Sequence, residues 1–141
     1  MNRMPEPAAD AAPARVPPSI ERAAGVLLVV LLVVVSWLAF SPRPPPIGLG
    51  WDKLNHAMAF AALAAAARVA GANRMTRPRQ VVTNWLLAYG AFIELVQSQI
   101  PNRGAEWLDL LADLVGIMIG LAVAAKMLDR LRWHRQSPDP G

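Results

Sequence analysis

Cysteine is absent from this 141-residue chain, which excludes disulfides and thiolate metal sites. Charge is scarce too: 17% of residues are Asp, Glu, Lys or Arg, against roughly 25% in soluble domains. With 55% hydrophobic residues and a mean hydropathy of +0.32, that scarcity points to a membrane protein, and the length allows one domain of a few spans. Aromatic residues are only 6% of the chain and no basic run is interleaved with them, so the net charge of +4 does not signal nucleic acid. The arginines sit beside apolar stretches instead, as loop charges that orient helices.

What is present is organised as apolar runs broken by proline and glycine. Residues 1–22 are rich in Pro and Ala with scattered charge, and read as a disordered cytoplasmic tail. Residues 23–40, AAGVLLVVLLVVVSWLAF, carry no charge and would measure about 27 Å as a helix, enough to cross a bilayer core. A cleaved signal peptide is the alternative, because Ala39-Phe40-Ser41 imitates a cleavage site. Against it, the run exceeds the roughly 7–15 residues of a signal core, acids precede it and Pro42 follows at once. The segment SPRPPPIGLG then breaks any helix. Further spans are expected at 52–72, 81–98 and 107–128, separated by GANRMTRPRQ and QIPNRGAE. Residues 129–141 read as a C-terminal cytoplasmic tail. The expected fold class is all-α, a four-helix membrane domain over 23–128.

The last three spans have uncharged cores, 54–67, 81–93 and 114–125, shorter than the roughly 18 residues that identify a transmembrane helix unaided. A soluble helical bundle is therefore the competing reading. Two features favour the membrane. The first span has no polar face, and Trp37, Trp51 and Trp107 fall at one expected interface while Trp85 and Trp133 fall at the other. Orientation follows from the basic residues: Arg3, Arg15, Arg22, Arg68, Arg74, Arg77, Arg79, Lys126, Arg130, Arg132 and Arg135 all fall on one side. By the positive-inside rule that side, with both termini, is cytoplasmic, which places the chain in the inner membrane.

On this topology the ionisable groups converge at the outer face. Asp52, Lys53, Asn55 and His56 occupy the first turns of span two, and Glu94, Gln97 and Ser98 the last turns of span three. Asn102 and Arg103 lie in the outer loop; Glu106, Asp109 and Asp113 open span four. Asp52 and His56 are i,i+4, as are Asp109 and Asp113, and Glu94 and Gln97 are i,i+3, so each pair shares a helix face. Gly116 and Gly120 continue the span-four stripe as a small-xxx-small packing motif. Charged groups inside a membrane usually face the bundle interior or a water-filled cavity, so an outward-facing polar pocket is expected.

The ordered set Asp52-Lys53-x-x-His56, Glu94-x-x-Gln97, Arg103 and Asp109-x-x-x-Asp113-x-x-Gly116-x-x-x-Gly120 resembles the VanZ-like membrane proteins, over roughly residues 24–125. Asp113 departs from the pattern, since many members have Asn there. The resemblance implies a cell-envelope role of the kind linked to low-level teicoplanin resistance, and no specific activity.

Several readings stand side by side for the polar groups. His56 is either a satisfied imidazole or a general acid/base, its ring oriented by Asp52, with Glu94 as a further candidate for proton transfer. Lys53 and Arg103 either neutralise Glu94 and Asp109 or hold an anion such as phosphate, with Gln97, Asp109 and Asp113 completing the site. A metal on Glu94, Asp109, Asp113 and His56 lacks any recognised signature, and no metal or cofactor is expected. A complete ion pathway is not expected, because the polar groups of the outer cluster do not continue through the helices to the cytoplasmic side. The expected partners are the bilayer and an anionic envelope lipid or lipid-linked saccharide. The rival expectation is an accessory protein whose polar cluster only locks the bundle.

Overall fold

The computed structural model describes residues 15–41, 52–101 and 106–136. All of its regular structure is helical: α1 (Pro18–Phe40), α2 (Asp52–Ala70), α3 (Pro78–Gln97) and α4 (Trp107–Gln136). Pro18 and Pro78 open their helices at the first position, where the missing N–H would have no intrahelical acceptor anyway. Gly71 closes α2, its N–H on the Ala67 carbonyl, and the Arg74 and Met75 N–H groups return to the Gly71 carbonyl, turning the chain tightly into α3.

The described helices reach beyond the expected domain at both ends. α1 starts at Pro18, inside the segment read as a disordered tail, and Val16 is buried. The Asn73 side chain holds it: Val16 N–H donates to Asn73 Oδ1 at 3.1 Å, and Asn73 Nδ2 donates to the Val16 carbonyl at 2.9 Å. The Asn73 backbone N–H donates in turn to Glu21 Oε1 at 2.9 Å. Val16, at the end of the Pro/Ala-rich stretch, is thus held by a partner 57 positions away, which composition cannot reveal. At the other end α4 runs on to Gln136, through residues 129–136 that were read as tail.

The alanine-rich α2 lies against all three other helices, and α4 is its principal neighbour. Gly116 and Gly120 explain the closeness. A Cβ on Gly116 would strike the Ala57 carbonyl group, and one on Gly120 that of Ala61. Ala57 and Ala61 are themselves i,i+4, so two small-residue stripes meet backbone to backbone. Phe60, Leu63, Leu86, Ile93, Ile117 and Leu121 fill the core around this seam.

The outer surface is apolar. α1 turns Leu28, Leu31, Leu32, Val35 and Ala39 to the core, yet its other face exposes Val26, Val29, Val30, Val33 and Trp37. α4 buries Asp109, Asp113, Ile117 and Leu121 while exposing Leu111, Val115, Met118, Ile119 and Val123. Carboxylates inside and branched aliphatics outside reverse the arrangement that water favours. Among the described residues, two helices are long and apolar enough to cross a membrane, Pro18–Phe40 and the Trp107–Trp133 part of α4.

Candidate functional site

α2 enters the bundle where α3 ends and α4 begins, so three termini deliver their polar side chains to one end. They form two layers. In the upper layer Lys53 Nζ donates to Glu106 Oε2 at 2.7 Å and stands 3.6 Å from Asp109 Oδ1. Glu106 is exposed while Asp109 is only 3% exposed. The hydrogen bond from the Lys53 ammonium, followed by its charge, holds the Glu106 carboxyl below its ordinary range. Glu94 reaches across from α3 to accept the Glu106 backbone N–H at 2.9 Å. It thereby sets a carboxylate at the start of α4, where the helix dipole favours negative charge.

One turn deeper, His56 Nδ1 pairs with Asp113 Oδ1 at 2.9 Å. Asp113 has 0% exposure, and room for its carboxylate comes from Gly90 on α3, where a Cβ would meet Asp113 Oδ2. Three buried carboxyl oxygens have no hydrogen-bond partner: Glu94 Oε1, Asp109 Oδ1 and Asp113 Oδ2. Asp109 Oδ1 has the Lys53 ammonium 3.6 Å away, whereas Glu94 forms no salt bridge among the described residues and Asp113 pairs through its other oxygen. Buried acceptors without a hydrogen bond are costly, and their gathering at one end of the bundle marks this as the place where a proton, a cation or a hydrogen-bond donor is wanted. One ligand atom each from Asp52, His56 and Asp109 lies within 4.8 Å of the others, a spacing from which a single ion can be shared.

The structure therefore brings Asp52, Lys53, His56, Glu94, Asp109 and Asp113 together. Two expected roles change. The ring nitrogen of His56 is paired by Asp113 across the α2–α4 seam rather than by Asp52 on its own helix, because the close approach at Gly116 carries the α4 carboxylate to the imidazole. Gln97 is buried but turns away from the cluster, its Nε2 donating to the Ala39 carbonyl of α1 at 3.2 Å. It ties α3 to α1, as does Tyr89, whose hydroxyl lies 2.8 Å from Ser36 Oγ. Arg103 lies outside the described residues.

No protein-family model, curated protein or solved structure matches the chain. The likeness to VanZ-like proteins accordingly rests on the residue pattern alone.

Glu106 and Gly90 carry more of the site than sequence reasoning gave them. Glu106 stands among the outer charges in the sequence, but its place as the nearest partner of Lys53 depends on where α4 starts. Gly90 sits alone in α3 with no small residue four positions away, so no motif marks it. Its signal is only that an isolated glycine inside a helix, at a helix-propensity cost of roughly 1 kcal/mol, usually has a packing reason.

Proposed function

We propose that the chain is an integral inner-membrane protein in which all four helices span the bilayer, with both termini cytoplasmic. Its polar cluster then forms a pocket open to the outer leaflet. This pocket binds the phosphate-bearing head group of an envelope lipid or lipid-linked saccharide, and it holds the groups needed to process that head group. Lys53 is the anion contact at the rim, and Arg103, outside the described residues, is the second cation proposed for it. His56, held by Asp113, and Glu94 are the proton-transfer candidates, with Asp52 and Asp109 beside them.

The observation that carries this reading is the inverted polarity: buried carboxyl oxygens without a hydrogen bond inside a bundle whose exterior is Val, Leu, Ile and Trp. In a bilayer such groups are costly and are kept for function. The resemblance to VanZ-like envelope proteins supports the same assignment. Five carboxyl groups, on Asp52, Glu94, Glu106, Asp109 and Asp113, face Lys53 and His56 among the described residues. The anion is therefore held by specific rim cations, which exchange Glu106 for phosphate, and not by net charge.

A second reading has its own observation. Four polar ties join different parts of the chain: Lys53 to Glu106, His56 to Asp113, Glu94 to the Glu106 N–H and Gln97 to the Ala39 carbonyl. A cluster of that kind also serves an accessory protein as a lock for the bundle. Native mass spectrometry of the purified chain beside Arg103→Ala separates the two. A phospholipid or polyprenyl-phosphate adduct that disappears in a folded variant supports the binding site. A bare wild-type protein with a variant that unfolds supports the lock. Topology is tested with single cysteines at positions 52 and 99, both exposed, which should both be labelled from outside; labelling from opposite sides would sink the shared pocket.

A further inference from the structure

The opposite end of the bundle holds a cleft of about 440 Å³, lined by Arg68 of α2, by Arg77, Pro78, Arg79 and Gln80 at the start of α3, and by Asp129 of α4. Its volume falls within the roughly 300–1,000 Å³ of ligand clefts. Three arginines meet a single carboxylate there. Arg68 is repelled by Arg132 and Arg79 and attracted by Asp129. Arg68 Nη1 and Arg132 Nε are both buried without a hydrogen-bond partner.

Charges that merely orient helices need neither a cavity nor buried donors left unpaired. Arg68 Nη1 is out of water without an acceptor, which is expensive. Arg77 and Arg79 stand exposed beside it, and the acceptor that suits several guanidiniums at once is an anion with more than one oxygen. The first turn of α3 forms part of the same wall. Pro78 brings no N–H and the Val81 N–H is taken by the Arg77 carbonyl, which leaves those of Arg79 and Gln80 at a helix start of the kind that favours phosphate.

The surroundings indicate where such a phosphate comes from. Trp85 on α3 and Trp133 on α4 are 74% and 70% exposed, as aromatic anchors at a membrane interface are. Val81, Val123 and Met127, on the same two helices, expose apolar surface along which acyl chains can lie. We propose that this cleft binds the phosphodiester of an anionic phospholipid of the cytoplasmic leaflet. Arg68, Arg77 and Arg79 hold the phosphate oxygens, and the chains run along α3 and α4. The proposal rests on the membrane-spanning reading and is independent of any ligand at the outer cluster.

The test uses the full chain in detergent, titrated with phosphatidylglycerol, phosphatidylcholine or inorganic phosphate, with the melting temperature as readout. Phosphatidylglycerol should raise it and phosphatidylcholine should not. Arg77→Gln/Arg79→Gln should lower the apparent affinity about 30-fold, from roughly 5-fold per cation. Lys126→Gln/Arg130→Gln, which removes two exposed cations outside the cleft, should leave the affinity near the wild-type value.

Equal responses to the two lipids, or equal losses in the two double variants, overturn the site. A shift reproduced by inorganic phosphate reassigns the cleft to a free anion and overturns the lipid as its source. Carbonate washing of membranes that carry the chain separates the two levels. Release of the protein overturns the spanning reading itself, whereas a retained protein indifferent to phosphatidylglycerol overturns only the cleft.

Discussion

Replacing Gly116 with alanine tests how closely α2 and α4 approach. The added methyl would land on the carbonyl group of Ala57, an obstacle made of backbone that cannot rotate aside as a side chain can. Helix propensity by itself favours the alanine by ~1 kcal/mol. Overpacking a filled contact costs ~1–3 kcal/mol, and a collision with backbone belongs at the upper end, so the net expectation is a loss approaching ~2 kcal/mol. Gly120→Ala should behave alike against Ala61. One outward displacement of α4 relieves both clashes, so the double variant should lose less than the sum of the single variants. Gly25 supplies the control, since a Cβ there meets nothing within 4 Å. Gly25→Ala should be neutral or more stable by up to ~1 kcal/mol. Unfolding of the four variants and the wild type in detergent, followed by circular dichroism, makes the comparison. If Gly116→Ala proves as stable as Gly25→Ala, the backbone contact described here is wrong.

Asp113→Asn keeps an acceptor for the His56 ring and removes a buried charge, so stability should hold or rise. Asp113→Ala strands the ring and should cost ~1–3 kcal/mol in the same unfolding assay; equal damage from both would show that the pairing with His56 is not what Asp113 contributes. Glu106 should titrate below an ordinary glutamate in a carboxyl NMR titration, and Lys53→Gln should bring it back up. Because its folded pKa is the depressed one, whatever stability the pair adds is present above the unfolded value and lost as pH falls through the folded value. Asn73→Ala should release the segment around Val16, read as faster hydrogen exchange at Val16 and Glu21 with α3 and α4 unchanged. Tyr89→Phe should cost about 0.6 kcal/mol if its link to Ser36 behaves as an ordinary interhelical bond in a membrane, and a double-mutant cycle with Ser36→Ala isolates it.

The helices were legible because apolar runs and Pro/Gly breaks are local signals: α2 begins at Asp52 and α4 at Trp107, as the sequence suggests. The gathering of Asp52, His56, Asp109 and Asp113 was legible as well, since an i,i+4 pair fixes a face and an up-down topology fixes the end. Pairings across the seam were not. Spacing shows that Asp52 can reach His56, but the ring goes to Asp113 because glycines on α4 bring that helix within reach. Gln97 shares a face with Glu94 by count, yet the α1 carbonyl at Ala39 claims it. Arg68, Arg77 and Arg79 read as topology signals, and only three-dimensional placement shows that they share a cavity in which Arg68 Nη1 is a buried, unpaired donor. The clamp of Asn73 on Val16 depends on where a turn leaves one side chain, which no periodicity encodes.

The enclosure of α2 bears on how the chain enters a membrane at all. Among the described helices only α1 and α4 have the length and apolarity to partition on their own. α2 carries Asp52, Lys53 and His56 at its head and a run of alanines whose individual gain from hydrocarbon is small. On the four-span reading, α2 and α3 cannot settle one at a time as they emerge from the ribosome. They must wait beside α1 until α4 arrives with the groove that receives Ala57 and Ala61. A chain shortened before residue 107 should then stall as a protease-sensitive intermediate at the insertion machinery, whereas the intact chain integrates as one cooperative unit.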